Sequence, residues 1–232
     1  MRMRDATGRT DDTGANVTAN AGSPRTTASP SDYRLLLPDG WFRVRIDPEG
    51  RERSVDALVD RKFAGVDNAP HLKRQLRDEL LTQATEAYRD GGIELYLSLQ
   101  QAGPLTIPAS LLITLLRPAP GTALPDTAEL ARRLSAGMEG ETTVTELAAG
   151  TAVRVRRVTG QPNTPAPPGA AGSPDEVLPS VTVDYQLPVP GAEAHLLLTF
   201  STPLLQIADA MVELFDAVAG SLTWLDGDAT HE

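Results

Sequence analysis

Ile93-Glu94-Leu95-Tyr96-Leu97-Ser98-Leu99-Gln100, followed after Gly103-Pro104 by Ala109-Ser110-Leu111-Leu112-Ile113-Thr114-Leu115-Leu116, decides the fold. The first run alternates apolar and polar side chains, the period of a strand with one buried face. The second is apolar on both faces, as a central strand requires. Two such runs joined by a short glycine–proline break pair antiparallel. The same alternation recurs at Thr142–Leu147 and Thr151–Val158, joined by Ala148-Ala149-Gly150, and at Val181–Leu187 and Ala194–Phe200, joined by Pro188 to Ala192. Upstream, Tyr33–Leu37 and Trp41–Ile46 flank Asp39-Gly40, a hairpin signal.

Helical spacing separates these pairs. Leu72, Leu76, Leu80, Ala84 and Tyr88 recur behind Pro70 and stop at Gly91-Gly92. A shorter helix runs from Asp126, its N-cap, to about Leu134, with Glu129 three residues on. The last helix is capped by Thr202 and carries Leu204, Ile207, Ala208, Met211, Leu214, Phe215 and Val218 on one face. The predicted order is ββ-α-ββ-α-ββ-loop-ββ-α: an α+β chain built on a single antiparallel sheet with helices packed on it. Residues 1–31, poor in large apolar side chains, read as a disordered arm and 32–226 as the domain. Within it the proline-rich 160–180 reads as a mobile loop, and 227–232 as a disordered tail.

The chain has 232 residues, 31 acidic against 21 basic, for a net charge of −10. That balance argues against nucleic acid as a partner, because such binding needs a basic footprint. The absence of cysteine excludes a disulfide scaffold and any thiolate metal site. No run approaches the ~20 apolar residues of a membrane-spanning helix, and no apolar stretch follows Arg2 and Arg4 as in a secretory leader. A cytoplasmic protein is the expectation. Lys62 and Lys73 are the only lysines, an arginine bias expected of a GC-rich genome.

The chemistry-bearing patterns are few. His71, His195 and His231 lie far apart and outside any metal-ligand spacing, and no nucleophile elbow, dinucleotide fingerprint or phosphate loop occurs. No catalytic, metal or cofactor residue is assigned, and a non-catalytic protein is expected. The residues singled out for a protein partner are Trp41, beside a tight turn, and two arginine pairs, Arg43 with Arg45 and Arg154 with Arg156. Each pair shares one strand face by the two-residue period. Were those strands neighbours, they would form a basic surface opposite the acidic final helix; the alternative is a solvated face with salt bridges to Glu94 or Asp184. From Pro203 onward the chain has no Lys or Arg but carries Asp209, Glu213, Asp216, Asp226, Asp228 and Glu232. Two further readings are a small-molecule or lipid binder with a pocket between sheet and helices, and an enzyme assembled from Tyr96, Asp184 and His195.

Leu37-Pro38-Asp39-Gly40-Trp41, with its opening hairpin, following helix and antiparallel strands, resembles the start of the Mog1/PsbP-like fold. Phe63-Ala64-Gly65, Leu72-Lys73-Arg74 and Gly92 through Leu97 resemble small uncharacterised actinobacterial proteins. The resemblance implies a curved antiparallel sheet between helices, in an αβα arrangement across about 33–225. It also implies a binding or assembly factor, in which some relatives bind small molecules or lipids. It further suggests a place accessory to a type VII secretion apparatus. The lipoprotein role of several actinobacterial relatives does not carry over, since the lipobox cysteine is missing.

Overall fold

The computed structural model describes residues 30–65, 69–102, 105–137, 139–159 and 179–225. Nearly all of the expected arm and tail, and all but the last two residues of the expected proline-rich loop, lie outside them. In chain order the elements are β1 (Asp32–Arg34), β2 (Trp41–Val44), α1 (Arg51–Lys62), α2 (Pro70–Arg89), β3 (Gly92–Ala102) and β4 (Leu105–Leu116). Then follow α3 (Thr127–Gly137), β5 (Glu141–Leu147), β6 (Gly150–Thr159), β7 (Ser180–Pro188), β8 (His195–Thr202), a 3₁₀ turn at Leu205–Ile207, α4 (Ala208–Gly220) and β9 (Thr223–Leu225).

Seven strands form one sheet in the order β2-β3-β4-β8-β7-β6-β5, every neighbour antiparallel. The expectation of a single sheet needs correction: β1 and β9 make a separate two-stranded ribbon, with Tyr33 opposite Trp224. The hairpin expected around Asp39-Gly40 therefore does not close. The turn itself exists, with Gly40 at φ +87° and the Trp41 N–H bonded to the Pro38 carbonyl. Residues 33–37, however, are drawn to the end of α4. There the Leu36 N–H donates to the Ser221 hydroxyl at 2.9 Å, while Leu35 and Leu37 pack on the core.

The two faces of the sheet are covered differently. On one, Leu196, Leu198 and Phe200 of β8, Val181, Val183, Tyr185 and Leu187 of β7 and Leu111 and Ile113 of β4 meet Met211, Val212, Phe215 and Val218 of α4. Phe200 stacks on Phe215 with centroids 4.9 Å apart and takes the Tyr185 ring edge-on at 5.9 Å. On the other face, α1 and α2 bury Val55, Leu58, Val59, Leu80 and Ala84 against Val44 and Leu95, and α3 sets Leu130 on Val153 and Val155.

Helix α1 was not anticipated. Its apolar residues, Val55, Leu58 and Val59, keep helical spacing, but its N-cap is Gly50 with no side-chain cap. The α3 cap is as expected, Asp126 Oδ1 accepting the Glu129 N–H at 2.8 Å. Thr202 does not cap the last helix. It is fully buried in β8, where its hydroxyl donates to the Pro108 carbonyl at 2.9 Å, so α4 starts six residues later. Among the described residues no helix is long and apolar enough to cross a membrane.

Candidate functional site

The five residues expected to meet a partner do not come together. β2, with Trp41 and Arg43, is one edge of the sheet, and four strands separate it from β6, with Arg154 and Arg156. Arg45 lies just past the end of β2. Each arginine is held by a carboxylate: Arg43 by Glu94, Arg45 by Asp47 (2.9 Å), Arg154 by Asp216 (2.7 Å) and Arg156 by Asp209 (2.6 Å). Trp41 is half-buried against the main core, and its indole Nε1 is buried with no hydrogen-bond partner among the described residues. The C-terminal acids thus meet the β6 arginines within the fold.

Two of these carboxylates organise larger networks. Glu94 Oε2 accepts the hydroxyls of Tyr33 (2.7 Å) and Tyr96 (2.8 Å) while Oε1 takes the Arg43 guanidinium, so one β3 side chain ties β1, β2 and β3 together. Burial, reinforced by the bonded carboxylate, pushes the Tyr96 phenol up to about 12 and the Tyr33 phenol higher still. Asp216 on α4 likewise accepts from Tyr185 and Arg154. Burial first, and then that carboxylate, raises the Tyr185 phenol as well.

Beside the Glu94 network, the ribbon does not press flat on the sheet. Between them lies a cleft of about 410 Å³. Its walls are Tyr33 and Trp224 from the ribbon and Ile93, Leu115 and Leu196 from the ends of β3, β4 and β8, with Arg117 and Glu193 near the mouth. The Trp224 indole is fixed by a 2.8 Å bond from Nε1 to the Ala149 carbonyl. Arg117 is exposed and has no ion pair among the described residues. None of these wall residues stood out in the sequence: Tyr33, Ile93, Leu115 and Leu196 read as ordinary strand residues and Trp224 as the end of the last helix, and the cleft forms only when both ends of the domain meet.

The residues of the enzymatic reading are divided between the faces. Asp184 and His195 share the α3 side of the sheet, linked through Gln186, whose Nε2 lies 3.0 Å from His195 Nδ1; Tyr96 belongs to the opposite side with Glu94. Asp184 pairs with Arg157 on β6. Burial raises its carboxyl above the usual range against the pull of Thr199 and Arg157, and burial depresses His195. A further cavity, about 270 Å³, is lined by Leu134 of α3 together with Asp184 and Arg157; His195 does not line it. Among the described residues no cluster of His, Cys, Asp or Glu is placed to hold a metal ion.

The class the architecture defines is an α+β protein of antiparallel sheets, carrying four α-helices among the described residues. Solved structures similar to it include the Ran-binding protein Mog1p of Saccharomyces cerevisiae, at 12% identity and a TM-score of 0.41, covering 84% of this chain and 90% of that one. They also include LpqN of Mycobacterium tuberculosis, described as involved in cell envelope biogenesis, at 14% identity and 0.42, covering 88% and 86%. Mog1 proteins are thus among the chains this one is similar to, as the Leu37–Trp41 resemblance led us to expect. No protein-family model and no curated protein matches the sequence.

Proposed function

We propose that the protein is a non-catalytic binding module whose ligand is a small, largely apolar molecule held between the β1–β9 ribbon and the main sheet. The observation that carries this reading is the cleft itself: about 410 Å³, walled by Tyr33, Ile93, Leu115, Leu196 and Trp224. That volume falls in the range of small-ligand sites, and an apolar body with few polar groups is their usual lining. Arg117 and Glu193 at the mouth suit a ligand whose polar end faces water. The arginines first expected to engage a protein partner are each occupied by a carboxylate of the same chain. The phenols nearest the cleft are bound to Glu94 and raised in pKa, which suits a wall and not a proton-transfer group.

The test is a titration with decanoate and with anilinonaphthalene sulfonate, read by Trp224 quenching and dye emission. Wild type should bind saturably. Ile93→Glu, which places a carboxylate at an exposed wall position, should weaken binding at least tenfold with an unchanged unfolding midpoint. Equal binding by wild type and Ile93→Glu would overturn the assignment.

A further inference from the structure

We propose that the chain forms a twofold dimer through β5, whose free edge pairs antiparallel with β5 of a second copy to continue the sheet across the dyad. β5 is the outermost strand of the seven, and among the described residues nothing bonds to its outer edge. Natural sheets protect such an edge with a bulge, a proline, charged side chains (lysine above all) or a very short strand. β5 has no bulge, proline or lysine and is not short; its only charges are Glu141 and Glu146, near its two ends. Glu-Thr-Thr-Val-Thr-Glu-Leu runs seven residues in one-to-one register with β6. The opposite edge is managed: β2 is four residues long and its Arg43 is clamped by Glu94.

The strand is complementary to itself. In a regular antiparallel ladder, residues directly opposite each other must both turn their backbone groups toward the partner or both away. A symmetric pair of identical strands can therefore be centred only on a residue. Centred on Val144, all seven residues pair. Glu141 then faces Leu147 of the second copy and Glu146 faces Thr142, so no two acids are opposed, which would be destabilising. Val144, which is 54% exposed, meets its own counterpart and loses its apolar side chain from water.

The helices above agree. α3 packs on β5 and β6 alike, so its axis lies roughly over the gap between them. With strands about 4.8 Å apart, the dyad sets the two α3 axes about 10 Å apart, at the upper end of helix packing distances.

Sedimentation velocity on the full chain from micromolar to near-millimolar concentration reads this directly. Wild type should move toward twice its 24.7 kDa mass. Val144→Lys opposes two ammonium groups on the dyad and should remain monomeric with an unchanged unfolding midpoint, since the side chain is exposed. The sequence has no cysteine, so Val144→Cys reports geometry cleanly. Under mild oxidation or with a short bismaleimide it should give a covalent dimer at least tenfold faster than Leu72→Cys, a comparably exposed position on α2. A wild type that stays monomeric, a dimer that survives Val144→Lys, or equal crosslinking by the two cysteine variants would each overturn the proposal.

Discussion

Replacing Glu94 by alanine should loosen the β1–β9 ribbon and cost about 3 to 4 kcal/mol. Three groups converge on this carboxylate: the Tyr33 hydroxyl at 2.7 Å, the Tyr96 hydroxyl at 2.8 Å and the Arg43 guanidinium. A hydrogen bond to a charged acceptor contributes roughly 1.5 to 3 kcal/mol. The site is partly open to water, so the low end applies, giving about 3 kcal/mol for the two phenols. Arg43 adds little. Its side chain is 61% exposed, and an exposed ion pair is worth less than about 1 kcal/mol. Glu94→Gln keeps one acceptor oxygen without the charge and should lose about 1 to 2 kcal/mol. Tyr33→Phe removes one bond and should lose about 1.5 kcal/mol. The assay is urea denaturation of the three variants together with the Glu94→Ala/Tyr33→Phe double variant, whose coupling isolates the ribbon contact. Hydrogen exchange at Tyr33 and Trp224 supplies the local readout. The ribbon amides should lose protection in Glu94→Ala while the β7 and β8 amides keep theirs. A Glu94→Ala variant within about 0.5 kcal/mol of wild type, the range of an ordinary surface change, would refute the view that this carboxylate docks the ribbon.

Phe200→Ala removes a fully buried ring stacked on Phe215 and should cost about 3 to 5 kcal/mol in urea denaturation; a loss near 1 kcal/mol would place α4 elsewhere. Burial holds Asp184 protonated above the ordinary aspartate range, so the native chain keeps a proton that the unfolded chain has released. Its share of stability therefore falls as pH rises from the ordinary aspartate value through the native one, and Asp184→Asn should abolish that slope in denaturation curves across the acid range. His195 has the opposite sign. Burial depresses it, the unfolded chain takes up the proton first, and stability falls as pH drops below about 6.5. His195→Gln should flatten that limb, and an unchanged limb would remove His195 as its source. Absorbance titration at 295 nm should show Tyr33, Tyr96 and Tyr185 missing from the ordinary phenol step until the protein unfolds; ionisation of all four tyrosines in one step would contradict both networks.

What could be read in advance follows from range. Alternation in Ile93–Gln100 and Val181–Leu187 is a property of neighbouring residues, and those strands appear as expected. The helix behind Pro70 forms too, but only the middle of its stripe, Leu76, Leu80 and Ala84, docks, while Leu72 and Tyr88 at its ends are exposed. Helix α1 escaped because only three of its residues are buried and its cap is a bare glycine; it is stabilised by docking on Val44 and Leu95 more than by local preference. The ribbon escaped for a different reason. Tyr33 and Trp224 sit in three-residue strands at opposite ends of the domain, and no local pattern records such a pairing. The arginine spacing was legible and its consequence was not: Arg154 and its acid, Asp216, lie 62 residues apart.

The acidic final helix illustrates how a charge pattern becomes orientation. Asp209 and Asp216 are two turns apart on α4, about 10 Å along its axis. Arg156 and Arg154 are two residues apart on β6, about 7 Å, and their long side chains bridge the difference. Because Asp209 meets Arg156 and Asp216 meets Arg154, α4 must run opposite to β6. Counting antiparallel neighbours across the sheet, β6 and β8 share one direction. The ion pairs therefore select the same direction for α4 as the short connection from Thr202 to Ala208, which turns the chain back over the sheet. Reversing the helix would take Asp216 from Arg154, whose side chain is only 14% exposed, and leaving that arginine unpaired is costly. The charges that looked like a recognition surface thus agree with the packing of α4, and the binding readings rest on the ribbon cleft and the free edge of β5.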